Sequence, residues 1–141
     1  MSPDSFASPQ QALSHLFFHC CFKDGVITKD EIKVVSEKLV AAGLNANLNF
    51  KDEVVRYQSY RPEITDEQQY LNNLVSCIRP TNELALFSYC VELCLGDGLL
   101  QAEEEALLQK LATALDLTES EQTICTKLMV QRKVVETEKV F

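Results

Sequence analysis

Apolar residues recur along most of this chain three or four positions apart, which is the spacing of an amphipathic α-helix. The first such set is Leu13, Leu16, Phe17 and Cys20. Further apolar residues at Phe18 and beyond make this first segment apolar nearly all round, which predicts a central, buried helix. The whole pattern predicts seven helices, near 9–22, 29–42, 49–59, 66–78, 82–96, 102–115 and 119–132.

Capping residues mark where several of these helices begin. Ser8 stands before Pro9, so a side chain that caps a helix is followed by the residue favoured at the first helical position. A threonine followed three residues later by Glu or Gln is a capping box, and this pattern starts at Thr28, Thr65 and Thr118. These signals predict the N-termini of the first, second, fourth and seventh helices.

The pattern of the first helix returns 73 positions later, from Leu13 to Leu86. The residues that follow Leu86 on the predicted buried face are Tyr89, Cys90 and Leu93. The same offset places an Asp-Gly pair after each of the two helices, followed by a second amphipathic helix with an acidic start. The chain therefore carries an internally duplicated helix–Asp-Gly loop–helix hairpin.

Length and composition narrow the fold class. A chain of 141 residues predicts one domain, and its four glycines and four prolines are too few for the many turns of an all-β fold. We expect an all-α, compact bundle of about seven helices. The predicted organisation is a disordered N-terminal arm at 1–7, a single helical domain at 8–132 and a C-terminal tail at 133–141.

The chain is acidic overall, and most of its net charge lies in one segment. The chain has 21 acidic residues against 13 basic ones, a net charge of −8, which argues against nucleic acid as a partner because that requires a basic surface. The segment 97–121 alone carries a net charge of −6, from seven acids and Lys110. Two interpretations stay open for this segment: a solvated helix face, or a surface for a basic protein partner.

The location predicted from the sequence is cytoplasmic. No secretory signal is visible, and the uncharged stretch 5–22 contains too many Gln and His residues to form a transmembrane segment. Peripheral membrane contact is disfavoured because basic residues do not flank the first helix. The six cysteines form no CxxC pair, and we expect them to be reduced.

The duplicated loops carry the residues best suited to chemistry. They begin at Asp24 and Asp97 and end at Glu31 and Glu104, with the form Asp-Gly-x-(Ile/Leu)-x-x-acid-Glu. Carboxylate oxygens around a short loop are the ligands that hard cations prefer. The pattern matches only the second half of an EF-hand loop, because apolar residues or Cys20 stand where its first carboxylates belong.

On these residues, and on the run from Leu111 to Glu121, the chain resembles the TerB-like domains linked to tellurite resistance and bacterial stress systems. The resemblance implies an all-helical fold of about seven helices. It also implies a cytoplasmic scaffolding or signalling role through a protein partner, with a divalent cation (Ca, Mg, Mn or Zn) bound by the acids. The metal ligands it marks are Asp24, Glu31, Asp97 and Glu104, with Asp30 and Glu103 as secondary candidates.

Other interpretations of the same residues remain. Acids in a first helical turn also stabilise the helix dipole and caps, so the loops have a purely structural explanation. His15 and His19 lie four apart, as a transition metal would require, but the HExxH pattern is absent and an incidental pair is the simpler interpretation. No catalytic constellation is visible, so we expect no enzyme. The alternatives are a thiol-based redox sensor and a ligand-free assembly subunit.

Overall fold

The computed structural model describes residues 2–22, 28–41, 48–95 and 100–138, apart from the side chains at positions 31, 38, 39 and 138. This part of the chain forms seven α-helices and one short 3-10 helix, and it contains no strand, so the all-α prediction is confirmed. The helices are α1 (Pro9–Cys21), α2 (Lys29–Ala41), α3 (Phe50–Tyr60), α4 (Glu67–Ile78), α5 (Glu83–Cys94), α6 (Ala102–Ala114) and α7 (Glu119–Glu138), with the 3-10 helix at Arg61–Glu63.

The helices group into two compact units, of which the first is Met1–Arg79. Its centre is α1, which packs against α2, α3 and α4. Leu16, Phe18 and Cys20 are fully buried, and so is most of the rest of this helix. The prediction that the first helix is central is therefore confirmed for its own unit.

The second unit is Pro80–Phe141, in which α5 packs against both α6 and α7. Phe87, Cys90 and Val91 are completely buried in α5. Tyr89, predicted on the buried face, is instead 41% exposed. The reason is that the buried side of α5 is centred on Phe87 and Val91, which leaves Tyr89 at its edge.

The predicted internal duplication is not confirmed, although the two helix pairs have similar bounds and similar packing. α1 packs against α2, α5 packs against α6, and the bounds of α6 are those of α2 displaced by 73 positions. The Asp-Gly loops that join each pair lie outside the described residues. The agreement therefore concerns the positions of the helices alone.

Capping hydrogen bonds begin the first and seventh helices as the sequence predicts, and the fourth helix with a shift of one residue. The Ser8 hydroxyl accepts from the backbone N–H of Gln11 (3.1 Å), and Thr118 and Glu121 exchange side-chain and backbone hydrogen bonds of 3.1 and 3.0 Å. At α4 the cap is Asp66, one residue after the predicted threonine. A carboxylate is at least as good an acceptor at this position as a hydroxyl.

The two ends of the chain are more structured than predicted. α7 continues to Glu138, six residues past the predicted end, because residues 133–138 contain no glycine or proline to stop it. At the other end, the ring of Phe6 packs edge-on against His15 with centroids 5.5 Å apart. Asn73 also donates a hydrogen bond to Asp4 (3.3 Å), so the predicted N-terminal arm has contacts with helices of its own unit.

Candidate functional site

Both histidines of the chain project from α1 towards α3 and α4, where they meet tyrosines and carboxylates. His15 is fully buried. Its Nδ1 lies 2.6 Å from the Tyr60 hydroxyl and its Nε2 lies 2.9 Å from Oε1 of Glu53. These two contacts join α1 to α3 through one imidazole ring.

Glu53 is a buried carboxylate, only 3% exposed, held by three partners. Besides His15, the amide of Gln11 donates to it at 2.9 Å and the guanidinium of Arg56 at 2.8 Å. Burial raises the pKa of Glu53, but the hydrogen bonds from His15 and Gln11 and the neighbouring positive charge outweigh this effect and leave the pKa lowered. Glu53 is therefore ionised at neutral pH.

The state of Glu53 determines the protonation of His15. Burial lowers the pKa of His15 by more than the Glu53 carboxylate raises it, so the imidazole is neutral at neutral pH. An ionised carboxylate only accepts hydrogen bonds, so Nε2 must carry the proton and Nδ1 must accept from the Tyr60 hydroxyl. The Tyr60 oxygen in turn accepts from the Tyr70 hydroxyl at 2.6 Å.

A second chain of hydrogen bonds is centred on His19. Nε2 of His19 lies 2.8 Å from Oε2 of Glu67, at the start of α4, and its Nδ1 lies 2.8 Å from the Tyr57 hydroxyl. Burial raises the pKa of the phenols of Tyr57, Tyr60 and Tyr70, so all three keep their protons.

This His–Tyr–Glu network positions helices and is poorly placed for chemistry on a substrate. His15 and Tyr60 are completely buried. The side chains that follow one another from Glu53 through His15 and Tyr60 to Tyr70 are joined by hydrogen bonds to each other. The interpretation of the histidines as an incidental pair gave them no role, whereas in the structure each makes two hydrogen bonds to partners of its own. The overlooked signal lies in α3, where Glu53, Tyr57 and Tyr60 share one helix face at i, i+4 and i+7.

The predicted metal ligands are only partly described. Asp24, Asp97 and the side chain of Glu31 lie outside the described residues, and Asp30 and Glu103 are exposed. Glu104 is buried at the third position of α6, where its Oε1 accepts from the backbone N–H of Gln101 (2.8 Å). In the part of the chain that can be searched, no three His, Cys, Asp or Glu side chains form a group able to hold a metal. The cation site stays a prediction.

The acidic segment borders a groove in the second unit. The groove lies between α6 and α7 and has a volume of about 340 Å³. Leu108 is buried beneath it, and its walls include Glu105, Gln109 and Lys127. The exposed acids of these two helices and their connection are Glu103, Glu105, Asp116, Glu119, Glu121 and Glu136, counted over the side chains that the structure describes.

Four of the six cysteines lack either the exposure or the lowered pKa of a reactive thiol. All six lie in the described part of the chain and none forms a disulfide. Cys20, Cys90 and Cys94 are buried. Burial raises the pKa of Cys125, which opposes formation of the reactive thiolate.

Comparison with known protein families gives one match. The family described as "Tellurite resistance protein TerB" matches residues 10–125, which include both predicted Asp-Gly loops and every helix from α1 to the first turns of α7. Neither the curated proteins nor the solved structures contain a significant match. Over the residues described, no helix is long and apolar enough to cross a membrane.

The direction of the hydrogen-bond chain predicts unequal effects of two similar substitutions. Tyr60→Phe removes a hydroxyl that both donates to His15 and accepts from Tyr70, leaving two buried groups without a partner. Tyr70→Phe removes only a donor at the end of the chain. We expect losses in free energy of unfolding of about 2–3 kcal/mol and about 1 kcal/mol, respectively, measured by urea denaturation. Tyr89→Phe, at a site that is 41% exposed, is the control for loss of a tyrosine hydroxyl outside this network. Equal losses for Tyr60→Phe and Tyr70→Phe would contradict the assigned direction.

The neutral state of His15 predicts acid sensitivity. Its pKa in the folded protein is below the usual 6.5, so the unfolded chain binds more protons, and stability falls as the pH drops below about 6.5. Glu53 adds a second loss, which begins as the pH falls below the usual 4.5 of a glutamate and is complete below its own lowered pKa. Long-range ¹H–¹⁵N spectra should show His15 neutral with the proton on Nε2 at about pH 7, and its titration midpoint should lie below 6.5. His19→Gln, which leaves one histidine, assigns the signals. An imidazolium at His15 under these conditions would disprove this assignment.

Proposed function

The chain belongs to the TerB family of tellurite resistance proteins, and from this premise we propose that it is a non-enzymatic helical module of the bacterial stress response. It acts in the cytoplasm by binding another protein. The TerB family is not a known enzyme family. The inaccessible His–Tyr–Glu network further supports a role without catalysis.

The observation that carries this proposal is the groove between α6 and α7, two helices that also expose several acids outside its lining. Both helices pack against α5, and the space between them has the buried side chain of Leu108 at its base. Its walls are mostly uncharged, from Gln109, Gln122 and neighbouring threonines. A groove with an apolar base and polar walls fits a partner segment that inserts an apolar side chain.

The charge around the groove specifies the partner further. Glu105 lines one wall, and Glu103 and Glu121 are exposed on the same two helices. Lys127 is the basic residue among those lining the groove in the described structure. An excess of acids attracts basic segments and repels acidic ones, so the partner segment combines lysine or arginine with apolar residues.

This proposal predicts selective binding of a basic, apolar peptide. A fluorescent peptide of alternating lysine and leucine should bind the protein, measured by anisotropy at about 0.15 M salt, and its counterpart with glutamate in place of lysine should not. Glu105→Lys should weaken binding by about tenfold or more. Glu63→Lys is the matched control, because it changes the net charge equally at an exposed site in the first unit. Equal weakening by the two variants would show net-charge attraction and refute a site at the groove.

A divalent cation at the Asp-Gly loops is the second part of the proposed function. The ligands are Asp24, Glu31, Asp97 and Glu104, whose oxygens suit Ca²⁺, Mg²⁺ or Mn²⁺ better than the softer Zn²⁺. Glu104 also caps α6 through Gln101, so its replacement by alanine would disturb the helix whether or not a metal binds. Glu104→Gln keeps an acceptor oxygen for the cap and removes only the charge.

We expect calorimetric titration to detect binding of at least one of these four cations more tightly than about 1 mM. Asp97→Asn should abolish the binding heat, and Glu104→Gln should weaken binding without lowering the melting temperature. Glu105→Gln, which changes a neighbouring acid outside the predicted ligand set, is the control. Absence of binding below about millimolar, or unchanged affinity in Asp24→Asn and Asp97→Asn, would refute the cation site and leave the groove proposal standing.

A further inference from the structure

α7 exposes apolar side chains on a face that the groove does not use. Ile124 and Leu128 lie one helical turn apart, and each is 60% exposed. Large aliphatic side chains this exposed, and adjacent on one helix face, form a surface suited to contact with another helix.

Charged residues extend this face in both directions. Glu121, Ile124, Leu128 and Arg132 follow one another at intervals of three or four residues, so they form one stripe along α7. We call these four residues the α7 stripe. Gln122 and Thr126, which line the groove, lie on a different side of the helix. The α7 stripe is therefore a surface separate from the groove.

The α7 stripe is complementary to itself when the second copy runs in the opposite direction. In an antiparallel pair related by a two-fold axis, residues equally far from the centre lie opposite each other. If the two-fold axis passes midway between Ile124 and Leu128, Ile124 of each copy lies opposite Leu128 of the other copy. The same centre brings Glu121 next to Arg132 of the second copy, on the same side of the contact.

A parallel pair does not have this complementarity. It would place Glu121 beside Glu121 and Arg132 beside Arg132 of the second copy, and like charges in contact repel. An unrelated helix would need its own matching acid, apolar pair and base. The arrangement of charges along the α7 stripe thus favours a second copy of this chain as its occupant.

We propose that the chain self-associates through the α7 stripe, with α7 of one copy antiparallel to α7 of the other. The contact involves two apolar side chains and two charges from each copy, which is far below the ~1,200 Å² buried in stable complexes. The dimer is therefore weak, with a dissociation constant of about 10–100 µM. Because it uses another face of α7, this association does not depend on the proposed groove or cation site.

Sedimentation velocity between about 1 µM and 1 mM tests this proposal, and we expect a reversible monomer–dimer equilibrium. Leu128→Ser should weaken the dimer by about tenfold or more, since it removes an apolar contact from both halves. Val55→Ser is the matched control, because Val55 is 62% exposed on α3, in the first unit. A monomer at the highest concentration, or equal weakening by Val55→Ser and Leu128→Ser, would overturn the proposal.

The charge pairs test the direction of the helices. Arg132→Glu should weaken the dimer, and adding Glu121→Arg to it should restore association because both pairs are then reversed. Glu121 also caps α7 through Thr118, so Glu121→Gln, which keeps the acceptor, is measured in parallel and should weaken the dimer as well. Circular dichroism checks that α7 stays helical in each variant. A tighter dimer in Glu121→Gln would indicate parallel pairing or another partner face, and would overturn the antiparallel arrangement.

Discussion

The ionised carboxylate of Glu53 is the constraint on which the N-terminal unit depends. A charge buried in an apolar interior is tolerated only when it is paired and hydrogen-bonded. Gln11 and His15 of α1 and Arg56 of α3 meet this need. Because Nε2 of His15 donates a hydrogen bond to Glu53, its Nδ1 accepts from the Tyr60 hydroxyl, which in turn accepts from Tyr70 in α4. One buried charge thereby fixes the mutual positions of three helices.

The hydrogen bonds of this buried network bear on where a functional site can lie. The residues of the N-terminal unit that resemble catalytic groups, two histidines with carboxylates and phenols, are occupied in holding the unit together. The features suited to recognition lie on the surface of the C-terminal unit, in the groove between α6 and α7 and on the outer face of α7. The buried polar network and the proposed binding surfaces therefore belong to different units of this TerB-family chain.

Glu104 illustrates why the acidic motif of the two loops supports two explanations. A glutamate at the third position of a helix closes its N-terminus by accepting from the backbone, and the same carboxylate is a good ligand for a hard cation. The structure gives Glu104 the first role, through Gln101. The two roles are compatible, because one oxygen of a carboxylate can cap a helix while the other binds an ion. Sequence spacing alone therefore cannot separate a capping motif from a cation motif.

The sequence by itself determined the helices of this protein, their approximate bounds and most of their caps. Apolar periodicity and capping depend on residues three or four positions apart, so a short stretch of sequence such as Ser8 to Gln11 is enough to recognise them. The local pattern did not predict the exposure of Tyr89, because tertiary packing determines which of two neighbouring helix faces is buried. The network around Glu53 was decided only by tertiary structure. His15 and Glu53 are 38 positions apart, and no local rule shows that α1 and α3 will bring an imidazole and a carboxylate together. The burial that makes their hydrogen bond necessary exists only once those helices have packed.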